Sequence, residues 1–191
     1  MMNATVVHRN RIPSIPIGLV ARHLLLCLPL PFACSSQQTE GEGVLKSVES
    51  FASQFYASYQ ELRRPQLASD ALPAWVRVAR DPDSVLTSEL AEALTTDFDE
   101  AMAFGGQIAG LDFDPFVAAQ DPCDEYTVRR VVESPSGFDV EVQGDCTGLD
   151  QPDIIANVIS ANEGYRFSNF RYPGSGTDLM SVLERLRDSR R

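Results

Sequence analysis

The run Gly110-Leu-Asp-Phe-Asp-Pro-Phe-Val-Ala-Ala-Gln-Asp-Pro-Cys123 decides how this chain folds. It packs carboxylates (Asp112, Asp114, Asp121), an amide (Gln120), aromatic rings (Phe113, Phe116) and a cysteine into a short stretch. Pro115 and Pro122 bar it from being one regular element, because each removes a backbone donor and restricts its predecessor. Upstream of it, apolar residues recur three or four apart; downstream, they alternate. The run is therefore read as an irregular hinge between a helical half and a strand-rich half, tied down by Cys123.

Working back from the hinge, Leu90, Leu94, Phe98 and Ala101 form one helical stripe. Thr87 or Ser88 supplies its N-cap, and Gly105-Gly106 ends it. Trp75-Val-Arg-Val78 is a short apolar segment among prolines. Val44, Val48, Phe51, Phe55, Tyr59 and Leu62 predict a first amphipathic helix that stops near Arg63-Arg64, before Pro65. Forward from the hinge, Tyr126–Val132 and Phe138–Val142 alternate as strands joined by the turn residues 133–137. Ile154–Ile159 and Tyr165–Tyr172 add two more strands. A last helix from Thr177 or Asp178 carries Leu179, Val182, Leu183 and Leu186, with Arg185, Arg187, Arg190 and Arg191 suited to its C-terminal end. The expected class is α+β: helices followed by a curved antiparallel sheet of about four strands wrapped around the first helix.

The formal charge is −11. Removing the leader arginines Arg9, Arg11 and Arg22 makes the remainder more acidic still. Such a body, with no basic stripe, argues against nucleic acid and against electrostatic docking on anionic lipid.

Residues 1–33 read as an export signal: an arginine-bearing flank, the apolar core Leu24–Phe32, and then Ala33-Cys34. The apolar run is too short, and too interrupted by proline, for a spanning helix. Ala33-Cys34-Ser35-Ser36 and a polar tether over 34–43 resemble a bacterial lipoprotein signal, which implies lipid on Cys34 and a periplasmic location. The folded domain is then expected over 44–191. Cys27 leaves with the leader and Cys34 takes lipid, so Cys123 and Cys146 are expected to bond to each other. With no histidine after His23, a zinc site on that pair lacks ligands.

Phe51-x-x-x-Phe55-Tyr56-x-x-Tyr59, Leu111-Asp-Phe-Asp-Pro-Phe116 with Gln120-Asp121, and the segment Tyr165–Tyr172 together resemble a bacterial family known as domain of unknown function 3828. The resemblance covers about Phe51 to Leu186. It implies the nuclear transport factor 2-like superfamily, a cone of helices capped by a strongly bent sheet. The family carries no assigned activity, so no catalytic residue is carried over.

Three chemistries fit the acidic hinge. Asp112, Asp114, Asp121, Asp124 and Glu125 are hard oxygen donors of the kind calcium takes, although the spacing is not that of an EF-hand. If Asp112-Phe-Asp114 is extended, both carboxylates leave on one face, and a shared site would raise one pKa. In the third reading the aspartates cap turns through backbone N–H groups while Phe113 and Phe116 fill the core. The third is favoured. The overall expectation is a non-enzymatic envelope protein that binds a small apolar or peptide ligand or a protein partner. Trp75, Tyr126, Tyr165 and Phe167 are expected in the cavity, and Asp112, Asp114, Gln120 and Asp121 at its rim. No metal or cofactor is expected. The alternatives are a hydrolase or isomerase using one of those aspartates, and a homodimer through the sheet.

Overall fold

Among the described residues the regular elements up to Phe104 are helices and strands take over at Tyr126, so the acidic run falls at the junction its composition predicts. The computed structural model describes residues 37–64, 72–104, 109–148 and 150–191. The stretch 1–33, read above as an export signal, and Cys34 lie outside them. Helices α1 (Gln37–Arg63), α2 (Ala74–Ala79) and α3 (Ser88–Phe104) come first. Strands β1 (Tyr126–Ser134), β2 (Gly137–Gly144), β3 (Ile154–Ala161), β4 (Gly164–Tyr172) and β5 (Thr177–Asp178) follow, and helix α4 (Leu179–Ser189) packs back afterwards.

Helix α1 starts earlier than predicted, inside the stretch expected to be a flexible tether. Each added turn extends an existing ladder, and Lys46 reaches back to Glu42 (3.0 Å) on the exposed side. The buried stripe begins only at Val48; Val44 is 40% exposed and belongs to the solvated overhang. From there Val48, Ala52, Phe55, Tyr56 and Tyr59 are buried. Trp75-Val-Arg-Val78 forms the short helix α2. Helix α3 begins where predicted, with Leu90 N donating to the Thr87 hydroxyl at 3.3 Å.

The sheet is open and antiparallel, ordered β1-β2-β3-β4-β5. Val140 and Val142 of β2 face the helices, as do Ile154, Ala156 and Val158 of β3. A register shift opposite Asn157/Val158 leaves Ser168 as an extra residue in β4. This bulge lets Phe167 and Phe170 both point inward although they are three apart, and bulges also bend a sheet. The fifth strand was not predicted, because two residues are too few to show a period. It ends at Asp178, which caps α4 by accepting from Ser181 N at 3.1 Å. Leu86 bridges to Phe167, with Thr87 N donating to Phe167 O at 2.8 Å, so the chain entering α3 lies along β4.

The opposite face of the sheet is polar. Arg130 pairs with Glu141, Arg171 pairs with Asp139, and Asn157 donates to Asp139 at 2.7 Å. No helix among the described residues is long and apolar enough to cross a membrane.

Candidate functional site

The acidic run does not stay at the rim; part of it turns inward as a plug. Asp114 N donates to Ala119 O at 2.9 Å and closes a small loop. The Asp114 carboxylate accepts from Phe116 N at 3.1 Å, the turn-capping role expected of it. Ala118 completes the loop in the left-handed region, at φ +56°. Phe116 (0% exposed) and Val117 (2%) are thereby inserted into the core.

Three tyrosine hydroxyls hold the plug. Tyr59 donates to Asp114 Oδ2 at 2.7 Å, Tyr56 to Phe116 O at 3.1 Å, and Tyr172 to Pro115 O at 2.9 Å. Burial, then the nearby Asp114 charge, pushes the Tyr56 and Tyr59 phenols well above their usual range. Burial likewise raises the Asp114 carboxyl, outweighing the hydrogen bonds from Tyr59 and Phe116 that favour its ionised form.

Either end of the run is anchored. At its start, Leu111 N donates to Asp97 Oδ2 at 3.1 Å. Asp97 is in turn paired with Arg190 at 2.7 Å, with side chains only 2% and 7% exposed. A Cβ on Gly110 would approach the Ala101 Cβ to 2.7 Å, so only glycine lets the run cross α3 this closely. At its end, Cys123 is bonded to Cys146, with Cα atoms 5.4 Å apart. A Cβ on Gly144 would lie 2.6 Å from the Cys123 sulfur, so the bridge packs where β2 has no side chain. Cys123 N donates to Tyr126 Oη (3.2 Å), and Cys123 O accepts from Arg63 Nη2 (2.9 Å).

The run also walls two clefts of about 510 Å³ each, with Phe113 and Ala119 common to both. In the first, Trp75, Phe98, Met102 and Phe113 provide apolar surface, while Arg63 and Asp114 provide opposite charges. The Arg63 guanidinium lies 5.3 Å from the Tyr126 ring centroid and 5.9 Å from that of Tyr59. Its Nε and Nη1 are buried and have no acceptor among the described residues. The second cleft is lined by the disulfide, Asp121, Tyr126, Thr147 and Asp153.

Trp75, Asp112, Asp114 and Gln120 thus share the first cleft, and Asp121 and Tyr126 share the second. Tyr165 and Phe167 wall neither. Phe167 is fully buried between Phe55 (4.8 Å), Phe51 (5.0 Å) and Phe170 (5.4 Å). Tyr165 is half-buried against Phe51 at 5.8 Å and Phe138 at 6.1 Å. Both had been expected in the cavity; the space under the sheet is instead filled by the aromatic cluster around Phe116.

Asp112 and Asp114 do not act as a pair. The chain bends at Phe113, between them, and exposed Asp112 accepts from Gln120 (3.1 Å) while Asp114 turns to Tyr59. The five acids proposed for calcium do not converge either. Among the described residues, the one cluster of ligand-type side chains is Cys123, Asp145 and Cys146, and its sulfurs are already bonded to each other.

Two residues that brace the acidic run escape a reading of the sequence. Arg63 follows Tyr59 by four, on the buried face of α1, which was a usable signal. Asp97 interrupts the apolar line Leu94–Ala101, and an acid at such a position calls for a partner. That partner, Arg190, had been assigned only to the end of its helix.

Set against known proteins, the chain matches no protein-family model, no curated protein and no solved structure.

Proposed function

We propose that this is a non-enzymatic ligand-binding protein of the bacterial envelope, exported and lipid-anchored through Cys34, whose first cleft holds a small apolar or peptide ligand. The observation that carries the reading is the convergence of Trp75, Phe98, Met102 and Phe113 with Arg63 and Asp114 in one open cleft beside a filled core. Sites for small molecules are of this kind: mostly apolar walls and few polar groups that fix orientation. Helices before a bulged antiparallel sheet support the cone-like architecture of the nuclear transport factor 2-like superfamily, and with it the resemblance to domain of unknown function 3828.

Trp75 is the chain's single tryptophan and reports on the cleft directly. Titration with an apolar dye and short hydrophobic peptides is expected to change its fluorescence saturably. Met102→Glu, on a residue 52% exposed in the cleft wall, is expected to weaken that response without lowering the melting temperature. If no probe saturates, the cleft reading fails. Mass spectrometry of the mature N-terminus tests the anchor; an unmodified peptide spanning Cys34 refutes it.

One observation favours a hydrolase or isomerase instead: Asp114, its pKa raised by burial, faces the same cleft. No histidine lies among the described residues to exchange a proton with it, however. A homodimer through the sheet has less support, since that face would bury the Arg130–Glu141 and Arg171–Asp139 pairs.

A further inference from the structure

We infer that the group the first cleft recognises is an amide, as in a peptide unit, whose carbonyl accepts from Arg63 while its N–H donates to Asp114. The inference rests on the ligand-binding reading above and narrows its chemistry.

Arg63 has five N–H donors and no acceptor. Nη2 serves Cys123 O, whereas Nε and Nη1 find nothing among the described residues. A buried donor without an acceptor is a standing penalty that an incoming carbonyl relieves. Asp114 has the complementary surplus. Its oxygens accept from Tyr59 Oη and Phe116 N, with the Val117 N–H also turned toward them, and an ionised carboxylate has room for about four. Both residues line the same cleft and feel each other's charge, yet they form no direct ion pair. The gap between them suits a group that accepts on one side and donates on the other.

Charge separates the ligand classes. A carboxylate would suit Arg63 but enters a wall that also holds Asp97, Asp112 and Asp114. An amine would suit Asp114 but meets a guanidinium that cannot release its proton. A neutral amide serves both and brings no charge to be desolvated. Trp75, Phe98, Met102 and Phe113 then take a hydrophobic side chain attached next to that amide.

Three near-isosteric probes of the unmodified protein decide the matter at neutral pH: N-acetyl-L-phenylalaninamide, N-acetyl-L-phenylalanine and L-phenylalaninamide. They share the phenyl group and are neutral, anionic and cationic respectively. Trp75 fluorescence and calorimetry should show the neutral diamide bound at least about tenfold more tightly than either charged probe. Arg63→Met should remove that preference, with a melting curve to confirm that the variant folds; the wild-type comparison stands even if it does not. Equal or tighter binding of a charged probe overturns the amide inference and leaves the cleft reading intact. So does an apolar dye that saturates Trp75 while the diamide fails to bind. Silence from dye and probes alike overturns both.

Discussion

Replacing Arg190 by methionine should be among the most destabilising single changes in the domain. Arg190 is 7% exposed and holds Asp97, itself 2% exposed, while its Nη1 donates to Ala109 O at 2.9 Å. Removing the cation strands a carboxylate in the interior, which typically costs about 3–5 kcal/mol. For a domain of this size that is a fall in melting temperature of roughly 10 °C or more. The companion variant Asp97→Leu should cost somewhat less, because Arg190 keeps the half-exposed Glu100 at 3.3 Å while Leu111 N loses its acceptor. The double variant should be far milder than the sum. With both charges gone, what remains is the loss of partners for the Leu111 N–H and the Ala109 carbonyl, about 1–3 kcal/mol each where the group stays unpaired. Urea denaturation with the disulfide intact measures all three, and the double-mutant cycle isolates the pair. Because the pair is buried, added salt should barely alter the result. If Arg190→Met lies within about 1 kcal/mol of wild type, or the two losses simply add, the pair does not act as described.

Three other predictions follow from the same structure. A carboxyl whose pKa is raised on folding favours the folded state while protonated and loses that contribution as pH rises through its folded pKa. Asp114 is such a group, so the stability of Asp114→Asn relative to wild type should increase as pH rises above the ordinary aspartate range; a flat difference refutes the assignment. Asp178 is the opposite case: hydrogen bonds from Asn169 and Ser181 outweigh desolvation and lower its pKa. Its cap on α4 should be worth about 1 kcal/mol at neutral pH, as read from Asp178→Ala, and should fade as acid protonates it. Reduction of Cys123–Cys146, or Cys146→Ser, should lower the urea midpoint by an amount equivalent to roughly 3 kcal/mol. Since Cys123 O braces Arg63, reduction should also weaken any Trp75 response in the first cleft.

The contrast between what was legible along the chain and what was not has a consistent form. Helix α3, its cap at Thr87, the β1–β2 hairpin and the Cys123–Cys146 pair could all be read directly, because periodicity, capping and cysteine arithmetic act over a few residues or by elimination. The role of Asp114 as a turn cap was legible for the same reason. The start of α1 was misjudged because a polar overhang leaves no apolar period to read, and β5 because it is too short to have one.

What the chain alone determined, then, was the α+β order, the inward faces of α1, α3 and β2, and the position of the hinge between the two halves. What only the tertiary structure decided was the use made of that hinge. Tyr59 finds Asp114 across 55 residues, and Asp97 finds Arg190 across 93. In a one-dimensional pattern a tyrosine that fills the core looks the same as one that also donates to a distant carbonyl. Phe170 joins Phe167 in the packed interior, filling the space a cavity would need, because a bulge resets the facing of β4. Such choices depend on the register of distant strands and on which polar groups become buried together, and neither is encoded in any local stretch of residues.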